Sequence, residues 1–212
     1  MFSACFVAWV EGLRDGAPDI VAIDGKTSRR VRRGEEHLLH VVSAWAARRR
    51  LVLGQQAVGT KSNEIVAIPL LLERLHLTGA LVTIGAMGCQ IKIAQTILDR
   101  GADYLLALKD NQRSLADEVG MLFQIAEHSC SEAFETVDAD HGRIKTRRHW
   151  VSHDVDWLTT TRRFPGEPRC PGVKAIATVE ATAGRQVTTA RRYFLFSLPI
   201  DTGTLARAVR AH

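Results

Sequence analysis

Hydrophobic spacing divides the chain into alternating helix-like and strand-like segments. Phe6, Val10 and Leu13 share one stripe of a helix over residues 4–13, which Pro18 ends. Ile20–Ile23 is a short apolar run of strand length, closing on Asp24-Gly25-Lys26. His37–Trp45 and Leu51–Val58 are two further apolar segments on either side of the polar Arg48–Arg50 corner, so the three read as an antiparallel meander. Ser62 or Asn63 is placed to cap a helix running to Leu75, with Ile65, Ile68, Leu72 and Leu75 facing inward. Pro69 inside that stretch predicts a late start or a kink. Ala80–Ile84 is a fourth strand, and Gln90–Arg100 a helix with Ile93, Ala94, Ile97 and Leu98 on one face and Gly101 as its stop. Tyr104–Leu108 is a fifth strand, after which Ser114 with Asp117 opens a helix carrying Leu115, Val119, Leu122 and Phe123.

The predicted order is β-β-β-α-β-α-β-α. Three strands pair before any helix intervenes, which separates the chain from the strict alternation of a dinucleotide-binding fold. It is the order of a ribonuclease-H-like α/β core with a mixed sheet, here assigned to residues 1–133. Residues 134–203 change character: β-prone stretches at Arg147–His153, Val173–Glu180 and Val187–Phe196 are broken by Pro165, Pro168, Pro171 and Gly184. They read as a basic, strand-rich insertion. Residues 204–212 begin a core helix that the chain does not complete, so the C-terminal catalytic helix of such a core is expected to be missing.

Charge sharpens this division. Residues 1–140 hold 15 basic and 18 acidic side chains, whereas 141–212 hold 13 and 5. Arginine supplies 22 of the 28 cations, and guanidinium forks suit phosphate. Aromatic residues are only 6% of the chain, too few for base-stacking platforms of the single-strand-binding kind. No apolar run approaches the roughly 18 residues of a membrane span, and the N-terminus lacks the basic start of a signal peptide. Cys5, Cys89, Cys130 and Cys170 stand far apart with no CxxC, which disfavours zinc ribbons and disulfide frameworks and predicts a cytoplasmic, reducing location.

The candidate chemistry centres on Asp24. A carboxylate on a central strand is expected to be hydrogen-bonded, paired or bound to a cation, and it serves either as a turn cap before Gly25 or as a Mg²⁺ ligand. A two-metal phosphoryl-transfer site needs further carboxylates around ions about 3.5–4 Å apart. In this strand order the second acid should leave the fourth strand, at Gly85, and no acid lies between Glu73 and Asp99.

Seven segments then carry a resemblance. AIDGKT (22–27), HLLHVVSAWA (37–46), LVLGQQAV (51–58), KSNEIVAIP (61–69), VTIGAMGCQ (82–90), DYLLALKDNQ (103–112) and HGRIKTRRHW (141–150) resemble, in order, the H-repeat-associated insertion-sequence transposases. That family is of the DDE type, with a ribonuclease-H-like core, a β insertion and divalent metal, Mg²⁺ or Mn²⁺, as cofactor. The resemblance implies cutting and joining of DNA at element ends. Asp24 matches the family's first catalytic Asp and metal ligand, Gly85 stands where the second Asp normally is, and Arg210-Ala211-His212 matches the start of the motif that leads to the third acid, a Glu. Lys145 stands where the family often has Glu, and the family's helical N-terminal region is absent. A remnant without strand cleavage is the expectation, with rescue by Gly85→Asp alone pointing to another third acid such as Glu64.

Lys109, Asn111 and Gln112 follow the fifth strand on the sheet edge where ligands meet open α/β sheets, and DNA contact is their expected role. Lys26 and Lys61 are expected to reach phosphate, and His141, Arg143, Arg147 and Arg148 to hold the DNA backbone without reading sequence. His149 and His153 have metal-like spacing but no accompanying Cys/His pair. Three functional classes compete: an active DNA-processing enzyme lacking its acids; a non-catalytic DNA-binding protein, associated with the nucleoid, that occupies element ends, associates with intact transposase or self-associates; and a nucleotide-binding turn at Gly85-x-x-Gly88. The last lacks the full GxGxxG and the matching strand order, so no nucleotide cofactor is expected.

Overall fold

A computed structural model of the chain describes residues 19–27, 40–59, 63–109, 112–126, 133–140, 143–160, 170–183 and 188–211. The helix expected over 4–13 lies outside them. Two compact units are present, one running to Tyr104 and taking in Ala211–His212, the other covering Leu105–Arg210.

The first unit holds β1 (Ile20–Thr27), β2 (His40–Ala46), β3 (Leu51–Ala57), α1 (Glu64–Leu72), β4 (Leu81–Ile84), a 3₁₀ turn (Ala86–Gly88) and α2 (Ile91–Asp99). The strand order is β3-β2-β1-β4, with β1 antiparallel to β2 and parallel to β4. Thus the expected meander and the fourth strand are present. However, β1 does not stop before Asp24, because β2 continues the ladder beyond the end of β4 and pairs Asp24 with Ser43. Ala44 pairs with Gly54, and a Cβ on Gly54 would meet Leu71 and Leu75 at 3.2 and 3.1 Å, so α1 covers this face. Val42, Ala44, Ala46, Val21 and Ile23 form the buried floor beneath it.

Asn63 caps α1, its Oδ1 accepting the Val66 N–H at 3.3 Å. Pro69 removes one interior bond, yet the helix continues to Leu72 because Ala67, Ile68, Leu71 and Leu72 anchor its inner face. Ile65 is exposed, against expectation. At 100° per residue the inner stripe of Ile68 and Leu72 passes through position 64, so Glu64 heads it. In α2, Ile93, Ala94 and Ile97 are buried and Leu98 half-buried, and Gly101, at φ +67°, ends the turn in the left-handed region.

The second unit holds most of β5 (Asp103–Leu108), then α3 (Arg113–Ala126), β6 (Phe134–Asp140), β7 (Arg143–Ser152), the short α4 (Trp157–Thr160), β8 (Ala175–Ala183), β9 (Thr188–Phe196) and α5 (Thr202–Ala211). Its strand order is β5-β9-β8-β7-β6, antiparallel throughout. The chain as a whole is mixed α/β with mostly antiparallel pairing. α3 opens one residue before Ser114 and buries Leu115, Val119 and Phe123, with Leu122 half-buried. β6 was not expected: its three acids, Glu135, Asp138 and Asp140, suppress the apolar signal of an edge strand. α5 runs over ten residues, with Asp201 capping the Thr204 N–H and Leu205 and Ala208 buried. Among the described residues no helix is long and apolar enough to cross a membrane.

His149, 1% exposed on β7, donates Nδ1–H to the Phe134 carbonyl at 2.9 Å. Burial lowers its pKa, and the Arg147 charge adds to this against the raising effect of the carbonyl. The folded imidazole therefore stays neutral where the unfolded one takes a proton, from about pH 6.5 downward. Stability is expected to be full above that pH and to fall on acidification, levelling once the folded imidazole also protonates. Denaturation midpoints measured across this window in wild type and His149→Phe should differ in slope, and parallel profiles would refute the assignment.

Candidate functional site

Asp24 and Gly85 meet at one end of the first unit's sheet. Ile23 pairs with Ile84 as the last parallel partners, and the next step of the register sets Gly85 beside Asp24. Parallel neighbours point their side chains to the same face across about 4.8 Å. A carboxylate at 85 would therefore stand next to that of Asp24. The backbone at Gly85, φ −62° and ψ 173°, is ordinary extended geometry open to any residue. These torsions do not call for glycine there.

The two faces of this strand end carry different chemistry. Asp24 and Lys26 share one face, with Lys26 Nζ 3.6 Å from Asp24 Oδ2 and both side chains well exposed. Ile23 and Gly25 share the other, beneath α1. There His40 Nε2–H donates to Glu64 Oε1 at 2.7 Å, and the Glu64 carboxylate lies over Gly25 so closely that a Cβ would collide with it. Glycine at 25 thus leaves room for the Glu64 carboxylate, the end of a flexible side chain that a Cβ would displace. Glu64 and Asp24 consequently lie on opposite faces of the sheet, which does not bring Glu64 to the side where a second ligand of Asp24's ion would stand. The Glu64–His40 pair was not legible as a pair. Its one sequence signal is the capping position of Asn63, which fixes where α1 begins and so where Glu64 points.

Among the described residues no group of three His, Cys, Asp or Glu side chains could hold a metal ion. Asp24 faces a lysine ammonium on one side and a bare glycine on the other. This donor set does not fit a pair of divalent ions, which need several carboxylate or carbonyl oxygens. His149 and His153 do not form a site either: His149 donates to the Phe134 carbonyl, and His153 Nε2–H to the Ile200 carbonyl at 3.1 Å.

The residues expected to touch DNA are distributed as follows. Lys61, Asn111 and His141 lie outside the described residues. Lys26 is beside Asp24. Lys109, exposed, and Gln112, half-buried, flank the turn from β5 to α3 in the second unit, where the Gln112 N–H donates to the Lys109 carbonyl at 2.9 Å. Arg143 opens β7. Arg147 is paired with Asp138, and Arg148 Nε with Glu135 Oε2 at 3.2 Å. The unexpected β6 is thus an acidic strand set against the basic β7. Glu135, Arg148, Glu180 and Arg191 are successive partners across four strands, an alternating ladder in which Arg191 Nε reaches Glu180 at 2.9 Å.

The chain matches the Transposase DDE domain family over residues 15–192. It is 42% identical over 207 residues to a protein of the dhlA 3′ region of Xanthobacter autotrophicus, covering 94% of this chain and 68% of that protein. It is 43% identical over 159 residues to YncI of Escherichia coli, covering 72% of this chain and 63% of that protein. To the H repeat-associated protein YhhI of Escherichia coli it is 33% identical over 220 residues, covering 100% of this chain and 57% of the relative. The chain thus spans between 57% and 68% of the length of these curated relatives. A piggyBac transposase solved as a synaptic complex with hairpin DNA gives a TM-score of 0.42 at 10% identity, covering 87% of this chain and 34% of that one, too distant a likeness to argue from. The family match takes in the Asp24 strand, Gly85 and most of the second unit's strands, and by its extent the chain belongs to the DDE transposase family.

Proposed function

We propose that this chain is a degenerate DDE transposase, with a ribonuclease-H-like core over 1–133 and a basic insertion over 134–203, that no longer cuts or joins DNA. One observation carries the reading: the position beside Asp24, on its own face, is a glycine. The family's chemistry uses divalent metal, and in-line phosphoryl transfer needs ions clamped on both the attacking and the leaving oxygen. Asp24 supplies one carboxylate to that task. Incubation with Mg²⁺ or Mn²⁺ and a DNA carrying the element's ends should leave the DNA uncut; metal-dependent nicking above a protein-free control would overturn the proposal.

A second reading, a DNA-binding role without catalysis, is supported by the 13 basic against 5 acidic side chains of residues 141–212. Arg147 and Arg148 are neutralised within the sheet, so this excess rests on other cations, including the exposed Arg192. Affinity for element-end duplex should then fall with log salt at a clear negative slope. A flat dependence would remove this role.

A further inference from the structure

α5 runs back along β7. His153, just past the end of β7, reaches the Ile200 carbonyl ahead of α5, while Arg210 near the helix end pairs with Asp138, opposite the start of β7. Between them lies a groove of about 210 Å³ whose lining includes Phe134, Asp138, Arg147, His149, Arg207 and Arg210. Phe134, Thr136, Asp138, Arg147 and His149 all fall on the sheet face that α5 covers, by the alternation of β6 and β7. Asp138, its side chain 17% exposed, is the single acid of the lining and takes both the Arg147 and the Arg210 guanidinium. Arg207, exposed on α5, adds a third guanidinium, its Nη2–H donating to the Thr204 hydroxyl at 2.9 Å. Two permanent cations therefore meet on one carboxylate, and a third, Arg207, lines the same groove. Guanidinium groups bind carboxylate and phosphate through the same planar, charge-assisted geometry. The apolar wall of Phe134 and Val209 thins the water around them and strengthens each contact.

We propose that this groove is a phosphate-binding site in which Asp138 takes the anion's place in the free chain, so that an incoming phosphate competes with it. The proposal deepens the DNA-binding reading and rests on it for the source of the phosphate, the nucleic-acid backbone. Inorganic phosphate and a short element-end duplex are the two probes, titrated separately while backbone amide signals of α5 and β7 are followed. Asp138→Asn should tighten phosphate binding roughly tenfold and steepen the duplex salt slope by about one, since guanidiniums released from Asp138 can then meet phosphate. Arg207→Glu leaves the Asp138 contacts in place and should weaken phosphate binding at least about tenfold by putting an acid in the groove.

Phosphate affinity unchanged in both variants, or amide shifts confined to other elements, would overturn the site. A purely structural Asp138 would lower stability in Asp138→Asn without any gain in affinity. If that variant does not fold, Arg207→Glu decides alone, and unaltered phosphate binding by it refutes the proposal. Phosphate binding that follows the expected pattern with no duplex binding by any variant would keep the groove and refute DNA as its source. Duplex binding indifferent to both substitutions would refute the groove and leave the DNA-binding reading standing.

Discussion

Gly85→Asp should give the chain a divalent-cation site at the end of β1 and β4 without giving it strand-cleaving activity. The new carboxylate would stand one register step beyond the Ile23–Ile84 pair, beside Asp24 and on the same face. The substitution brings no backbone strain, because φ at 85 is −62°. Two carboxylates about 5 Å apart repel, so in the absence of metal one of them should hold its proton to higher pH than usual. A divalent ion relieves that repulsion and is held by both. The competitor is Lys26, whose ammonium lies 3.6 Å from Asp24 Oδ2. That pair is exposed and its contribution is no more than about 1 kcal/mol, so it should yield. Mn²⁺ is the probe of choice, since its paramagnetism broadens nearby amide signals. In Gly85→Asp, broadening centred on residues 24 and 85 should appear at roughly tenfold lower Mn²⁺ than in wild type, whose single carboxylate is a weak ligand. Cleavage should remain absent, because two carboxylates fall short of clamping an ion pair. Equal broadening in both proteins would mean that this is not the face on which the family's metal chemistry was built.

The adjacency of Asp24 and position 85 was legible because it follows from strand order alone: two helix-free pairings followed by a crossover place the fourth strand beside the first. The length of β1 was not, since Asp-Gly-Lys-Thr reads as a turn, and only the ladder to β2 shows that it continues. Ile65 was misassigned for a similar reason. An i, i+3, i+4 stripe admits either 64 or 65 as its head, and the His40 partner on the sheet face beneath α1 decides for Glu64. The cross-strand charge pairing was illegible for a different reason. Arg147 and Arg148 look like a free basic patch in one dimension, but β6, itself hidden by its acids, sets Asp138 and Glu135 against them. Composition counts charges without their cross-strand partners, so it could not show that these two arginines are paired.

Phe196→Ala should cost about 3–5 kcal/mol, enough to remove a large part of a typical domain stability of about 5–15 kcal/mol. Phe196 is fully buried on β9, between Leu105 of β5 and Ala175 of β8, and its carbonyl accepts the Lys174 N–H at 2.8 Å. Its cross-strand partners Leu105 and Ala175 are buried as well. Three strands held by ladders on both sides cannot close over its loss, so the cavity term adds to the lost transfer energy. Phe134 is the natural control, being an aromatic residue of the same sheet but on its edge strand and 44% exposed. Its carbonyl still accepts from His149 after truncation, and the half-exposed ring gives up its tilted contact with His149 at 6.1 Å and its place in the groove wall, so Phe134→Ala should cost about 1 kcal/mol. Urea unfolding, read through hydrogen exchange of β8 and β9 amides, compares the two directly. The contrast tests the strand order itself, because a β9 at a sheet edge would leave position 196 able to relax. Losses of similar size in both variants would show that β9 is not the central strand joining β5 to β8.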